Sequence, residues 1–151
     1  MPEKYEITFS VDFVQAWQRT GTDRINGHRY TKQATRDAER SVGIAYKGAS
    51  IRKYGRVVTA PAGIPVAIKV EAYTPPPKKY PSYLPKWMRP RIPFVIKPDA
   101  SNILKLVEDG LNGIAYEDDS QIIAAHSFKC DRNDVTAPKT VVTLQFESHM
   151  E

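Results

Sequence analysis

NILKLVEDGLNG at residues 102–113, running on into IAYEDDSQIIAAHSFK at residues 114–129, carries a change of hydrophobic period from which the architecture can be worked out. At about 100° per residue, Ile103, Leu104, Leu106, Val107, Gly110 and Leu111 fall on one broad side, as in a helix with one buried stripe. Asn102, Lys105 and Asp109 share an arc of about 60° on the other side. The spacing predicts a helix over 102–112, stopped by Asn112-Gly113 where a left-handed cap is wanted. Beyond it, QIIAAHSFK at 121–129 and TVVTLQF at 140–146 read as two strands, joined by a polar turn through Asp131, Asn133 and Pro138.

Upstream, Val66, Ile68, Val70 and Ala72 alternate with Ala67, Lys69 and Glu71, which predicts a one-sided strand over 65–73. Tyr5, Ile7, Phe9, Val11 and Phe13 occupy every second position, the period of a half-buried first strand. Between these strands, Ala34, Ala38, Val42 and Ala45 recur at intervals of three or four. They predict a helix capped by Thr31 or Thr35 and ending near Gly48. The order is β-α-β-α-β-β. Right-handed crossovers place both helices on one face of a mixed sheet, giving a two-layer α+β sandwich.

The 151 residues are expected to form a single domain over 1–151, long enough to bury roughly two-thirds of the unfolded surface. Lys and Arg number 22 against 17 Asp and Glu, a net charge of +5. That excess suits a polyanionic partner and also suits a merely soluble surface, so motifs must separate the two. The one cysteine, Cys130, forms no internal disulfide and has no second thiolate for a zinc site. The N-terminus has no apolar signal region, and no run of eighteen apolar residues occurs. A cytoplasmic protein with no membrane association is expected.

Eight prolines crowd residues 75–98, together with Lys78, Lys79, Lys86, Arg89, Arg91 and Lys97 and the rings of Tyr80, Tyr83 and Trp87. Proline at this density neither continues a helix nor pairs centrally in a sheet. A long basic loop at about 75–98 is expected, pairing cations for phosphate with rings for base stacking. Arg19 and Lys129 are further candidate DNA contacts. His126 reads as a packed or edge histidine of its strand.

Asp99 stands just before the 102–112 helix, where backbone N–H groups favour negative charge, and Asp118-Asp119 stand before the next strand. A right-handed return permits these regions to share a cleft. Clustered carboxylates repel one another unless a cation joins them, and all-oxygen ligands suit Mg²⁺ or Mn²⁺ rather than zinc. Such an ion polarises a phosphodiester and activates water, while Lys105 stabilises the developing charge. The same residues also fit an exposed helix face flanked by ordinary acidic turns, and residue types alone leave both readings open.

The run KPDASNILK at 97–105, then EDGLNG at 108–113, then YEDDSQI at 116–122 resembles the RusA family of Holliday junction resolvases. That family carries K/R-P-D-x-D-N-x-x-K, then D-A-L-N-G, then W-x-D-D-x-Q-[IV]. Weaker similarity extends upstream through Arg19, Gly27, Tyr30-Thr31 and Tyr73-Thr74-Pro75-Pro76. The resemblance implies a homodimeric, Mg²⁺-dependent endonuclease, with Mn²⁺ as a substitute, that nicks four-way DNA junctions and is often encoded by phages or prophages. By motif position Asp99, Lys105 and Asp119 match the catalytic residues. Asp99, Asp119, Asp118 and Ser101 stand at metal-site positions, and Asn102 and Asp109 at supporting ones.

Ser101 departs from the pattern, because the family's second aspartate belongs there. A hydroxyl removes one negative charge and is a weaker ligand for a hard cation. Two expectations follow: Ser101 caps the helix while Asp118 or Asp109 supplies the missing charge, or the chain binds branched DNA with weakened catalysis. A nuclease for flaps and forks is a third reading, since the same chemistry serves any phosphodiester.

Overall fold

The computed structural model describes residues 3–15, 21–22, 29–30, 33–75, 82, 83, 85, 87, 98–130 and 137–148. The chain forms β1 (Glu3–Val11), β2 (Gly21–Thr22), β3 (Arg29–Tyr30), α1 (Gln33–Tyr54), β4 (Val66–Tyr73), α2 (Ala100–Leu111), β5 (Ile122–Lys129) and β6 (Lys139–Ser148). The main sheet has the order β1-β6-β4-β5, with β4 and β5 parallel and the other neighbours antiparallel. Among the described residues β2 and β3 pair only with each other. The expected α+β arrangement, a mixed sheet with two helices, is the one observed.

Alternation decides which way the strands face. Tyr5, Ile7, Phe9 and Val11 of β1, Val66, Ile68, Val70 and Ala72 of β4, and Val142, Leu144 and Phe146 of β6 are all buried. They join Ala38, Val42 and Tyr46 of α1 and Ile103, Leu106, Val107 and Leu111 of α2 in one apolar cluster. On the open face, Lys4 pairs with Glu147 and Lys69 with Glu71. The register between β4 and β5 slips after Val66, which pairs with Ile122 while Ala67 pairs with Ala124. Ile123 is the extra residue, and it projects into solvent.

Both ends of α1 differ from expectation. α1 does not stop near Gly48 but runs to Tyr54, because Ala49 and Ser50 are buried and the Ser50 hydroxyl ties the next segment down. That hydroxyl donates to the Arg56 carbonyl at 2.7 Å and accepts from the Val58 N–H at 2.8 Å. Gly55, at φ 76°, ends the helix. Thr35 does not cap α1: it is the helix's third residue, buried, with no partner for its hydroxyl among the described residues. Thr31 lies outside the described residues.

The two helices touch through glycine. A Cβ added to Gly110 of α2 would sit 2.9 Å from the Glu39 carbonyl oxygen and 3.0 Å from the Val42 Cβ. One added to Gly43 of α1 would sit 3.2 Å from the Gly110 carbonyl oxygen. Any side chain at Gly110 would push the helix axes apart, so the approach of α1 to α2 is fixed here.

Candidate active site

The polar stripe of α2 reaches solvent as its periodicity requires: Lys105 is exposed, while Asn102, Glu108 and Asp109 are half-buried. Asp99 is the N-cap residue, extended and making no side-chain cap hydrogen bond, so its carboxylate is left to face solvent. Ser101 is the second helical residue and exposed, hence it is not the cap expected of it. Gly113, at φ 80°, takes the left-handed position after the helix, and its N–H donates to the Tyr116 carbonyl.

From Gly113 the chain doubles back over the C-terminal end of α2. Tyr116 is fully buried, and its hydroxyl donates to the Glu108 carbonyl at 2.6 Å. Residues Asp119–Gln121 form one 3₁₀ turn. Asp118 caps it, accepting the Ser120 N–H at 3.0 Å. Those hydrogen bonds from Ser120 hold the Asp118 carboxyl below its ordinary value.

Gln121 locks this turn in place. Its Oε1 accepts the N–H groups of Glu117 and Asp118 at 2.9 and 3.0 Å. Its Nε2 donates to the carbonyls of Pro61 and Ile64 at 2.8 and 3.0 Å. A buried amide thereby positions Asp119 by binding the loop before β4 to the turn before β5. In the sequence Gln121 is simply part of the motif, yet a glutamine opening a buried strand after two aspartates is a usable signal for such a role.

Asp119, thus placed, is close enough to α2 to perturb its acids. Burial raises the Glu108 carboxyl, and the charges of Asp119 and Asp109 raise it further against an opposing contribution from Lys105. Burial also raises Asp109, with Lys105 lowering it and Asp119 raising it. The Tyr116 phenol is pushed well above its usual range by burial, then by Glu108, Asp119, Asp109 and Asp118. Glu39 of α1 is raised by burial and by Asp109, with Arg36 in opposition. Asp119, Glu108, Asp109 and Lys105 therefore share one electrostatic neighbourhood, with Glu39 at its α1 edge. Sequence reasoning misses Glu108 and Glu39: Glu108 is hidden beside Asp109, and Glu39 joins only through the packing of α1 on α2.

Asp99 lies at the other end of α2, about 15 Å along the axis from Asp109. Beside that end is β5, where the Ser127 hydroxyl donates to the Ala100 carbonyl at 2.7 Å. Lys129, two residues on, shares that face of β5. His126 is exposed on the opposite face, stacked near Phe128 with centroids 6.3 Å apart, and stands away from α2. Tyr83 and Trp87 are 84% and 71% exposed, which keeps both rings out of the core. Arg19, Lys78, Lys79, Lys86, Arg89, Arg91 and Lys97 lie outside the described residues.

The donor set suits a hard divalent cation in kind. It is all oxygen, and the Glu108 and Asp109 carboxyls are raised first by burial and then by the Asp119 charge, which a cation would offset. Among the described residues, no three acidic, imidazole or thiol groups stand together as one ion's ligands. Mg²⁺ is commonly held by one or two carboxylates, with water and phosphate oxygens completing its shell.

The model of the family Endodeoxyribonuclease RusA matches residues 14–145. The chain belongs to the RusA family. Membership implies endodeoxyribonuclease activity on branched DNA, and the matched span includes α1, β4, α2, β5 and the aspartate turn. No curated protein matches the sequence. Among the described residues no helix is long and apolar enough to cross a membrane.

Proposed function

We propose that this RusA-family chain is a metal-dependent endonuclease that resolves four-way DNA junctions as a homodimer, with Asp99, Lys105 and Asp119 as its catalytic residues. The supporting observation is the placement of Asp119 against the polar stripe of α2, where its charge reaches Glu108 and Asp109 beside Lys105. Asp119, with Asp118 beside it, and Asp99, with Ser101 beside it, would each offer carboxylate oxygen to Mg²⁺ or Mn²⁺; standing toward opposite ends of α2, they would not share one ion's shell. The ion would supply Lewis-acid polarisation of the phosphodiester and a water of lowered pKa. Lys105 offsets charge on the phosphate as it passes through its transition state. Glu108 and Asp109, whose carboxyls burial raises above their ordinary values, line the same face beside Lys105. Asn102 supports the stripe as a neutral hydrogen-bonding group. Two-fold symmetry matches paired cuts across a junction.

Ser101 supports a second reading, a branched-DNA-binding protein with weakened cleavage, since an exposed hydroxyl replaces the family's carboxylate. Labelled four-way, forked and linear duplex DNA, incubated with Mg²⁺ or Mn²⁺, separates the readings. Paired nicks in the four-way junction, abolished by Asp99→Asn or Asp119→Asn with binding retained, are expected. Tight binding with no cutting at any metal concentration selects the second reading, and equal or preferential cutting of forks reassigns the substrate.

A further inference from the structure

Arg36, Arg40 and Lys47 of α1 are exposed and lie within an arc of about 40°. They extend about 16 Å along the helix, the axial length of roughly five base pairs of duplex. Gly43 borders the same row, and its close approach to Gly110, the residue after Asp109, sets the row beside the C-terminal half of α2. The link to the acidic group is also electrostatic: Arg36 opposes the rise of Glu39, and Asp109 reinforces it. Arg40 approaches Asp37 at 3.9 Å, but both side chains are largely exposed and such a pair contributes little.

We infer that Arg36, Arg40 and Lys47 form a phosphate-binding rail that carries one arm of the DNA substrate along α1 to the acidic site on α2. The inference rests on the nuclease reading and adds the route by which its substrate reaches the site. A polyanion brought to Glu39, Glu108, Asp109 and Asp119 meets repulsion, and Lys105 is the only cation in the α2 sequence. The row on α1 offsets that repulsion where the strand enters. Three cations on one rigid helix, with no base-reading pattern among them, suit backbone binding that is independent of sequence.

The test compares wild type with Arg36→Ala/Arg40→Ala/Lys47→Ala, and with Lys4→Ala on the open face as a control. Binding to linear duplex and to a four-way junction is measured in EDTA across a salt series. Every phosphate that a cation neutralises adds about 0.9 to the steepness of log affinity against log salt, so the triple variant should be shallower by about 2–3. Its affinity should fall at least tenfold on both DNAs, with Lys4→Ala unchanged. A triple variant within twofold of wild type in affinity, with the same slope, overturns the rail. Wild type that binds duplex with no salt dependence overturns it too. Cutting of the same labelled junction by wild type with Mg²⁺ or Mn²⁺ tests the nuclease reading separately, so either can fail while the other stands.

Discussion

The Tyr116 hydroxyl donates a 2.6 Å hydrogen bond to the carbonyl oxygen of Glu108, fastening the turn that carries Asp119 to the helix that carries Lys105. Glu108 is among the last four residues of α2, whose carbonyls lack intrahelical partners. Tyr116→Phe keeps the ring packed and leaves that carbonyl short of a donor, at a cost of about 1–2 kcal/mol. Urea unfolding should show this as a lower midpoint with an unchanged m-value. Cleavage should fall as well, since Asp119 then holds its place beside α2 less tightly. An unchanged midpoint would mean that water replaces the phenol without loss.

Gln121 predicts a sharper hierarchy. Gln121→Ala removes donors from the Pro61 and Ile64 carbonyls and the acceptor for the N–H groups of Glu117 and Asp118. The expected loss is about 2–3 kcal/mol. Gln121→Glu is nearly isosteric, yet it turns a carboxylate oxygen toward two carbonyl oxygens and is expected to be worse than alanine at neutral pH. Thermal unfolding of both variants checks the order. A glutamate variant as stable as wild type would show that the amide does not hold the two loops together.

How much of this was legible in the sequence depends on how local each cause is. β1, β4 and α2 declared themselves through period, because alternation and the α2 stripe are set by neighbours a few residues away. The insertion of β6 between β1 and β4 did not, since strand pairing across such separations leaves no mark on either segment. Gly48 looked like a helix stop because glycine weakens helices, but burial of Ala49 and Ser50 outweighs roughly 1 kcal/mol of propensity. At the site, Lys105 and Asp109 followed from the helical face. Glu39 enters only because Gly43 and Gly110 let two helices approach closely, which no motif around Asp99 or Asp119 reports.

Glu108 gives the fold a pH dependence of defined sign. Burial and the Asp119 charge raise its carboxyl, so the folded state binds this proton more tightly than the unfolded chain does. The resulting destabilisation is complete above the raised value and fades as pH falls toward the ordinary glutamate range. Glu108→Gln should therefore melt about 1–3 °C higher than wild type at pH 7.5 and show no gain near pH 4. Equal melting temperatures at pH 7.5 would show that neither burial nor the Asp119 charge penalises the ionised Glu108 carboxyl.

Ser101 offers a test by gain of function. It is the second residue of α2, exposed, so a carboxylate there faces solvent and sits at the helix end that favours negative charge. Ser101→Asp should fold at least as well as wild type, with about 0.3–1 kcal/mol from the helix dipole. It should also lower the Mg²⁺ concentration for half-maximal junction cleavage several-fold, because one more anionic oxygen joins a hard-cation site. Ser101→Asn, of similar size and without the charge, should leave that concentration unchanged. If both variants need the same Mg²⁺ as wild type, the N-terminal end of α2 takes no part in holding the ion, and the acidic group of Asp119, Glu108 and Asp109 at its other end must hold the metal without Asp99.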